Sequence, residues 1–397
     1  MKNATHTARV GSLHSSSFWN NPTYRSLIIQ AITFLLIAGS AYYLASNLVT
    51  NLTARNIPIG LDFLDKRAGF DIGDSIIAYT SQDSYGKAFL VGIINTLNVS
   101  LISIVLATVI GVMIGIARLS QNWLVKNLTR GYVEYMRNIP LLLQLFFWYA
   151  LLTHALPSAR QALNPLPGIF LSNRGLFLPT LESDSGFYFL LFGLLVGLTA
   201  ALIWRFRANK IQKSTGRQLL VFWPFIAMLA AGGLIGWLLS PQGITVDMPA
   251  LKGFNFRGGI EITTEFFCLM IGLVTYTSAF IAENVRSGIL AVDKGQQEAA
   301  SSLGLPSVKS QRLVILPQAL RVIIPPTTSQ YMNVIKNSSL GVAIGYPDLV
   351  SVGGTTLNQT GQAVECISLI MLVYLCTSLA TSLFMNWYNA SVALTER

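Results

Sequence analysis

Charge is what this sequence has least of. Only 11% of its 397 residues are Asp, Glu, Lys or Arg, and 52% are hydrophobic. Soluble domains carry about 25% charged residues, so the deficit excludes the two or three soluble domains that length alone would allow. Histidine is scarce too, at three residues: His6, His14 and His154. No H-E-x-x-H pair, no cysteine pair at ligand spacing and no G-x-S-x-G elbow occurs. That excludes a standard zinc site or serine nucleophile and leaves an enzyme unsupported. There is no G-x-x-x-x-G-K-[ST] loop, so the chain does not cradle ATP phosphates by that means. Cys268, Cys366 and Cys376 fall in apolar segments and read as buried free thiols.

What is there is grease in runs. The apolar residues cluster into stretches of about 20, enough to cross a hydrocarbon core of about 30 Å as helices. The expected fold class is an all-α polytopic membrane protein with about eight transmembrane helices. The runs fall near 26–46, 88–117, 137–155, 187–204, 219–239, 264–284, 322–346 and 365–387. The first follows a polar tail and lacks a small-residue cleavage site, so it reads as a retained span. Gly111-x-x-x-Gly115 and Gly232-x-x-x-Gly236 have the small-residue spacing that lets membrane helices approach closely.

The net charge of +10 is no nucleic-acid signal, because the basic residues are scattered through the connections between apolar runs. They sort by side. Lys2, Arg9 and Arg25, then Arg118, Lys126, Arg130 and Arg137, then Arg205 to Arg217, and finally Arg286 to Arg321 fall on one side. Asp62, Asp65, Asp71, Asp74, Asp83, Glu182, Asp184, Asp247 and Asp348 fall on the other. The positive-inside rule then puts both termini in the cytoplasm. Two exterior connections, near 47–87 and 156–186, are long enough for small caps or lateral helices.

One cytoplasmic connection is built differently. Just ahead of "EAASSLGLPSVKSQRLVILPQAL" (298–320), Asp293 with Gln296 offers a capping-box pattern for a short helix. Gly304 ends that helix, since glycine accepts the left-handed backbone of a helix C-terminus. Pro306 blocks continuation, and Ser307 is placed to cap a second helix running toward Pro317. The small Ala299–Ala300 face beside Glu298 suits insertion into a groove on a partner. Local physics leaves this reading level with an ordinary helical loop.

The residues Glu298, Ala299, Ala300, Gly304, Leu316 and Pro317 resemble the EAA loop of binding-protein-dependent ABC importer permeases: E-A-A, three residues, Gly, nine residues, then I-x-L-P. Val314 replaces the usual Ile. The segments "GIINTLNVS" (92–100), "EYMRNIPLLLQLFFWY" (134–149), "YTSAFIAENVRSGILAVDKGQQEAA" (276–300) and "MNVIKNSSLGVAIGYPDL" (332–349) resemble the polar-amino-acid permeases of the histidine, glutamine and arginine type. The first span, the loop near "FLDKRAGFDI" and the extra central spans resemble the general L-amino-acid branch, in its shorter, Q-type subunit. The resemblance implies a MetI-like core over 88–397, with a central insertion near 156–260 and a coupling loop at 285–321, after an N-terminal part over 1–87. It implies a bacterial inner-membrane location, a separate ATPase subunit gripping the coupling loop, a second related permease and a periplasmic amino-acid-binding protein. The chain itself would bind no cofactor; ATP and magnesium would sit on the ATPase.

Lys336 is the one Lys or Arg well inside an expected span, among Gln330, Asn333, Asn337, Ser338 and Ser339. A charge at mid-bilayer costs about 2.5–3.5 kcal/mol on insertion scales, so such residues face a partner or a wet cavity. Two readings stand level: a passage lining, or a Lys that snorkels or pairs with Glu365. Glu134 with Arg137, and Glu283 with Arg286, read as structural ion pairs. Two other functions remain open. One is a secondary transporter or channel working without an ATPase, which needs no docking handle. The other is an ATP-free membrane receptor or scaffold, against which the many spans and the polar interior segment favour a passage.

Overall fold

The computed structural model describes residues 22–54, 59–182, 185–217, 219–240 and 245–392. Lys2, His6, Arg9, His14, Asp184 and the last five residues lie outside them. The chain is mostly helical, in the order α1 (Pro22–Ala54), α2 (Tyr85–Ala117), α3 (Trp123–Asn138), α4 (Leu141–Ala155), α5 (Ser185–Thr215) and α6 (Phe222–Leu238), followed by α7 (Thr264–Leu290), α8 (Lys294–Ser302), α9 (Ser307–Ser310), α10 (Leu316–Asn337), α11 (Leu349–Thr360) and α12 (Ala363–Val392). Five of these, α1, α2, α5, α7 and α12, are long and apolar enough to cross a membrane. The bent pair of α3 and α4 makes six if taken as one span. The expected count of about eight is therefore not reached on length and apolarity, for two reasons. The helix α6 has only 17 residues, and α10, with 22, is too polar.

Backbone satisfaction explains why the long apolar runs are helical: in lipid every N–H and C=O must bond within its own segment. The ends are set by caps. Ser84 accepts from the Lys87 N–H at the start of α2, and Thr263 from the Phe266 N–H at the start of α7. The expected third span near 137–155 breaks at Pro140. Ile139 before it is extended, as a residue preceding proline prefers, and α3 meets α4 at 105°.

The helices α2 and α7 lie side by side and run the same way at the centre. A Cβ on Gly111 would come within 2.7 Å of Ile281 Cβ, and one on Gly115 within 2.8 Å of the Ala282 carbonyl oxygen. These glycines let the two backbones approach, as their spacing implies. Gly288 of α7 does the same for Ile323 of α10. Val99, Leu145, Leu269, Leu273, Val334 and Tyr346 fill the middle of the core. No residue of α1 is buried. The hairpin of α5 and α6 is zipped by glycine: Gly193 and Gly197 oppose Gly232 and Gly236 with almost no space for a Cβ.

The two ends of the bundle differ in charge. Asp71, Asp74, Glu261 and Glu265 gather around one cavity, whereas Lys294 and Arg312 border another beside the far ends of α2 and α7. The acid-rich end holds strands rather than the lateral helices that were one expectation for its connections. In a four-stranded antiparallel sheet, β1 (Leu163–Leu166), β2 (Ile169–Ser172) and β3 (Gly175–Leu178) pair in sequence. Two short ladders follow, β4 (Thr180–Leu181) with β5 (Val246–Asp247) and β6 (Ala250–Lys252) with β7 (Asn255–Arg257). The first sheet closes with β8 (Ile260–Thr263), paired to β3 with Gly175 opposite Thr263. The connections flanking the α5–α6 hairpin are thereby tied together, and β8 feeds directly into α7. Cys268 and Cys366 are buried, as expected, but Cys376 is exposed on the apolar outer face of α12.

Candidate functional site

The motif over residues 293–317 begins with a tight cap. Asp293 Oδ1 accepts from the Gly295 N–H at 2.6 Å, starting α8. The expected return bond from Gln296 is not formed; Gln296 Oε1 accepts instead from Gln318 Nε2 at 3.2 Å, which ties α8 to α10. At its far end α8 closes in a Schellman motif. The Leu305 N–H donates to Ala300 O at 3.1 Å and the Gly304 N–H to Ser301 O at 2.9 Å, with Gly304 at φ +72°. Nothing lies within 4 Å of where a Gly304 Cβ would be, so this position needs glycine for its backbone alone.

The second half of the motif corrects the sequence reading. Pro306, not Ser307, is the N-cap of α9, and its carbonyl accepts from the Ser310 N–H. Pro317 does not end the helix. Residues Gln311–Ile315 form a π-helical turn and α10 continues from Leu316, so the chain is helical from Ser307 to Asn337. Pro317 has no N–H and its ring crowds the carbonyl four residues back, which an α-helical turn would leave strained and unpaired. The π turn absorbs this: the Leu316 N–H reaches back five residues to Gln311 O. The helix also runs through Pro325 and Pro326. One continuous helical element thus joins the exposed loop to the middle of the bundle.

Exposure divides the motif. Glu298, Ala299, Gly304 and Leu316 are exposed, Pro317 is half-buried, and Ala300 is only 3% exposed. Ala299 and Ala300 therefore do not form one outward face; Ala300 packs inward. The outward apolar groups are Leu303, 81% exposed, and Val308, 78% exposed, which stand on either side of the Gly304 turn. The sequence places Leu303 on the short helix without marking it as outward, and Val308 was missed, although large apolar side chains beside a helix break in a polar loop were a usable signal.

Ion pairs brace the neighbouring helix ends. Glu283 accepts from Arg118 and from Arg286, the latter at 2.6 Å. Arg137 stands 3.9 Å from the same carboxylate and lies over the Phe280 ring. The Glu283–Arg286 pair is as expected. Glu134 pairs with Arg130, 2.7 Å away, instead of Arg137, because a four-residue helical spacing aligns those two side chains.

The polar residues of α10 are not all together. Asn333 and Lys336 are exposed, Gln330 and Asn337 are half-buried, and Ser338 is buried with its Oγ donating to Ile335 O at 2.7 Å. Lys336 forms no ion pair among the described residues. Glu365, its suggested partner, accepts from the Gly60 N–H. Tyr331, unnoticed in the sequence, bonds through its hydroxyl to Thr108 of α2 at 3.0 Å.

At the acid-rich end a cavity of about 590 Å³ lies among the first outer connection, the strands and the starts of α7 and α11. Asn95, in the quoted "GIINTLNVS", anchors its wall by donating to Asp74 O at 2.7 Å and Pro347 O at 2.9 Å. Thr96 Oγ1 accepts from the Leu349 N–H at the start of α11.

Comparison with known proteins bears on this arrangement. The chain is 48% identical, over 98% of its length and 99% of the relative's, to YhdX of Escherichia coli (strain K12), which is named for amino-acid ABC transporter permeases. It is 46% identical, over 95% and 94%, to the general L-amino acid transport system permease protein AapQ of Rhizobium johnstonii. It is 41% identical, over 94% and 95%, to the glutamate/glutamine/aspartate/asparagine transport system permease protein BztB of Rhodobacter capsulatus. Residues 107–393, which hold the 293–317 motif, α10 and the Glu283 clasp, match the family model of the inner membrane component of binding-protein-dependent transport systems. This multi-pass membrane protein belongs to that family.

Proposed function

We propose that the chain is the permease subunit of an ATP-driven importer of amino acids with broad L-amino-acid specificity, and that it forms part of the passage. The observation that carries this is the unbroken helical run from Ser307 to Asn337, which leads from an exposed loop to the polar stretch around Lys336. Glu298, Ala299, Leu303 and Val308 present the loop to a soluble ATPase subunit, which holds the ATP and magnesium. Closure of the ATPase pair pushes α8, the Schellman turn passes the push to α9, and α10 carries it into the bundle. The names of the relatives support the substrate class and its breadth.

The exposed Asn333 and Lys336 face supports a second, related permease as the neighbour of α10, since lipid is a costly neighbour for a charge. The acid-rich end faces the periplasm and receives the amino acid from a soluble binding protein. The basic end lies in the cytoplasm of a bacterial cell, with both termini there. Uptake of radiolabelled amino acids by cells with and without this subunit, with the other amino acids as competitors, tests the reading. Uptake that vanishes without the subunit and requires ATP hydrolysis is expected; uptake driven by an ion gradient alone would favour a secondary transporter.

A further inference from the structure

The basic end contains a cavity of about 910 Å³ between the ends of α2 and α7 on one side and α8, α9 and the π turn on the other. Its walls are largely apolar, with Ile116, Leu119, Ile289 and Ile315 among them. Its charged lining groups are Lys294, Arg312 and Asp293. The Asp293 carboxylate is engaged with the Gly295 N–H. Neither Lys294 nor Arg312 forms an ion pair among the described residues. An apolar chamber bordered by two such cations suits an occupant with an anionic head and a hydrocarbon body.

Depth in the bilayer selects that occupant. With 33 residues, α2 extends about 50 Å, against a hydrocarbon core of about 30 Å. Its last turn therefore reaches the headgroup layer, where lipid phosphate meets acyl chain. We propose that the cavity holds one anionic phospholipid. The phosphate sits at Lys294 and Arg312, and an acyl chain lies along Ile116, Leu119, Ile289 and Ile315. Basic pockets between membrane helices on the cytoplasmic side suit such headgroups. Lys294 is the first residue of α8 and Arg312 lies in the π turn, so the lipid splints the coupling loop to the span ends. This inference rests on the membrane location of the family and not on the substrate.

The test uses the full chain, purified in mild detergent with whatever subunits accompany it, delipidated and examined by native mass spectrometry. Phosphatidylglycerol, phosphatidylcholine of the same acyl chains, and glycerol 3-phosphate are titrated in turn. One phosphatidylglycerol is expected to bind, about thirtyfold tighter than phosphatidylcholine, with two cations each contributing to headgroup attraction. Glycerol 3-phosphate should not compete. Lys294→Gln with Arg312→Gln should remove the preference. Equal binding of the two lipids, competition by glycerol 3-phosphate, or native preference in the double variant would overturn the proposal. A photoactivatable phosphatidylglycerol gives a check on the unaltered chain: cross-links within 116–125 or 289–316 are expected. Cross-links found only elsewhere, or a photoreactive residue at position 119 that captures protein instead of lipid, would also overturn it.

Discussion

Arg118 donates to the carboxylate of Glu283, fastening the end of α2 to α7. Arg286 holds the other oxygen at 2.6 Å and Arg137 approaches from α3 at 3.9 Å, so one acid serves three guanidinium groups. Its side chain is 24% exposed, which weakens each pair relative to a buried one. Glu283→Gln keeps the shape and removes the counter-charge. The expected cost is about 2 kcal/mol, below the range for a fully buried pair. It would be read as a lower apparent melting temperature of the purified chain. An unchanged melting temperature would mean that the clasp contributes nothing to stability.

At Gly304 the expected effect is purely conformational. The site has φ +72° and open space around a notional Cβ, so neither packing nor a lost contact enters. A β-branched residue in the left-handed region costs about 1–2 kcal/mol or turns the chain elsewhere. Gly304→Val should therefore redirect α9 and abolish transport while the spans still insert. Gly304→Asn should retain most transport, because Asn tolerates this region. Equal transport by the Val and Asn variants would show that the turn angle is irrelevant to coupling.

How much of this was legible in the sequence depends on the range of the interactions. Apolar runs, the small-residue spacings of Gly111 with Gly115 and Gly232 with Gly236, and the Gly304 turn are set by local pattern and were visible. That the spacings meet α7 and α5 was not, because docking partners are non-local. The partner glycines Gly193 and Gly197 were equally local and were overlooked. The pairing of β3 with β8 was not legible, because Gly175 and Thr263 are separated by the whole α5–α6 hairpin. The local hairpins β1–β2–β3 and β6–β7 were overlooked. Nor was the role of Pro317: proline usually signals a stop, and only the π turn before it lets the helix continue. Among the charges, the i,i+3 and i,i+4 pairs could be counted from spacing. The reach of Arg118 and Arg137 to Glu283 could not, since it depends on how α2 and α3 dock on α7.

The acid-rich end should respond to pH. Burial raises the Asp74 carboxyl above its usual 3.8; the bond from Thr263 Oγ1 opposes this and the nearby Glu265 charge adds to it. An acid whose pKa is raised by folding contributes stability that is complete below its unfolded value. That contribution is lost as pH rises through the folded value. The 70–84 connection should thus be held more firmly in acid than at neutral pH. Asp74→Asn, which keeps an acceptor for Thr263, should flatten this dependence. Hydrogen-exchange protection factors for these amides, corrected for intrinsic rates, decide it: an equal pH response in wild type and variant would exclude Asp74 as the source.

Lys336 offers the most direct test of the passage. It is exposed on α10 three residues from the exposed Asn333, and its ammonium has no acid partner among the described residues. Lys336→Met keeps the length and the apolar stem while deleting the charge, so insertion and folding should survive. With no internal pair to break, the stability should stay within about 0.5 kcal/mol of wild type, read as a nearly unchanged melting temperature. Transport should nevertheless fail, because the charge serves either the substrate carboxylate or a contact formed in one state of the passage. Loss of assembly with the partner permease, with the melting temperature unchanged, would limit Lys336 to the subunit contact and take it out of the passage. Wild-type uptake kinetics would remove it from both, leaving a side chain that snorkels to the interface and contributes little.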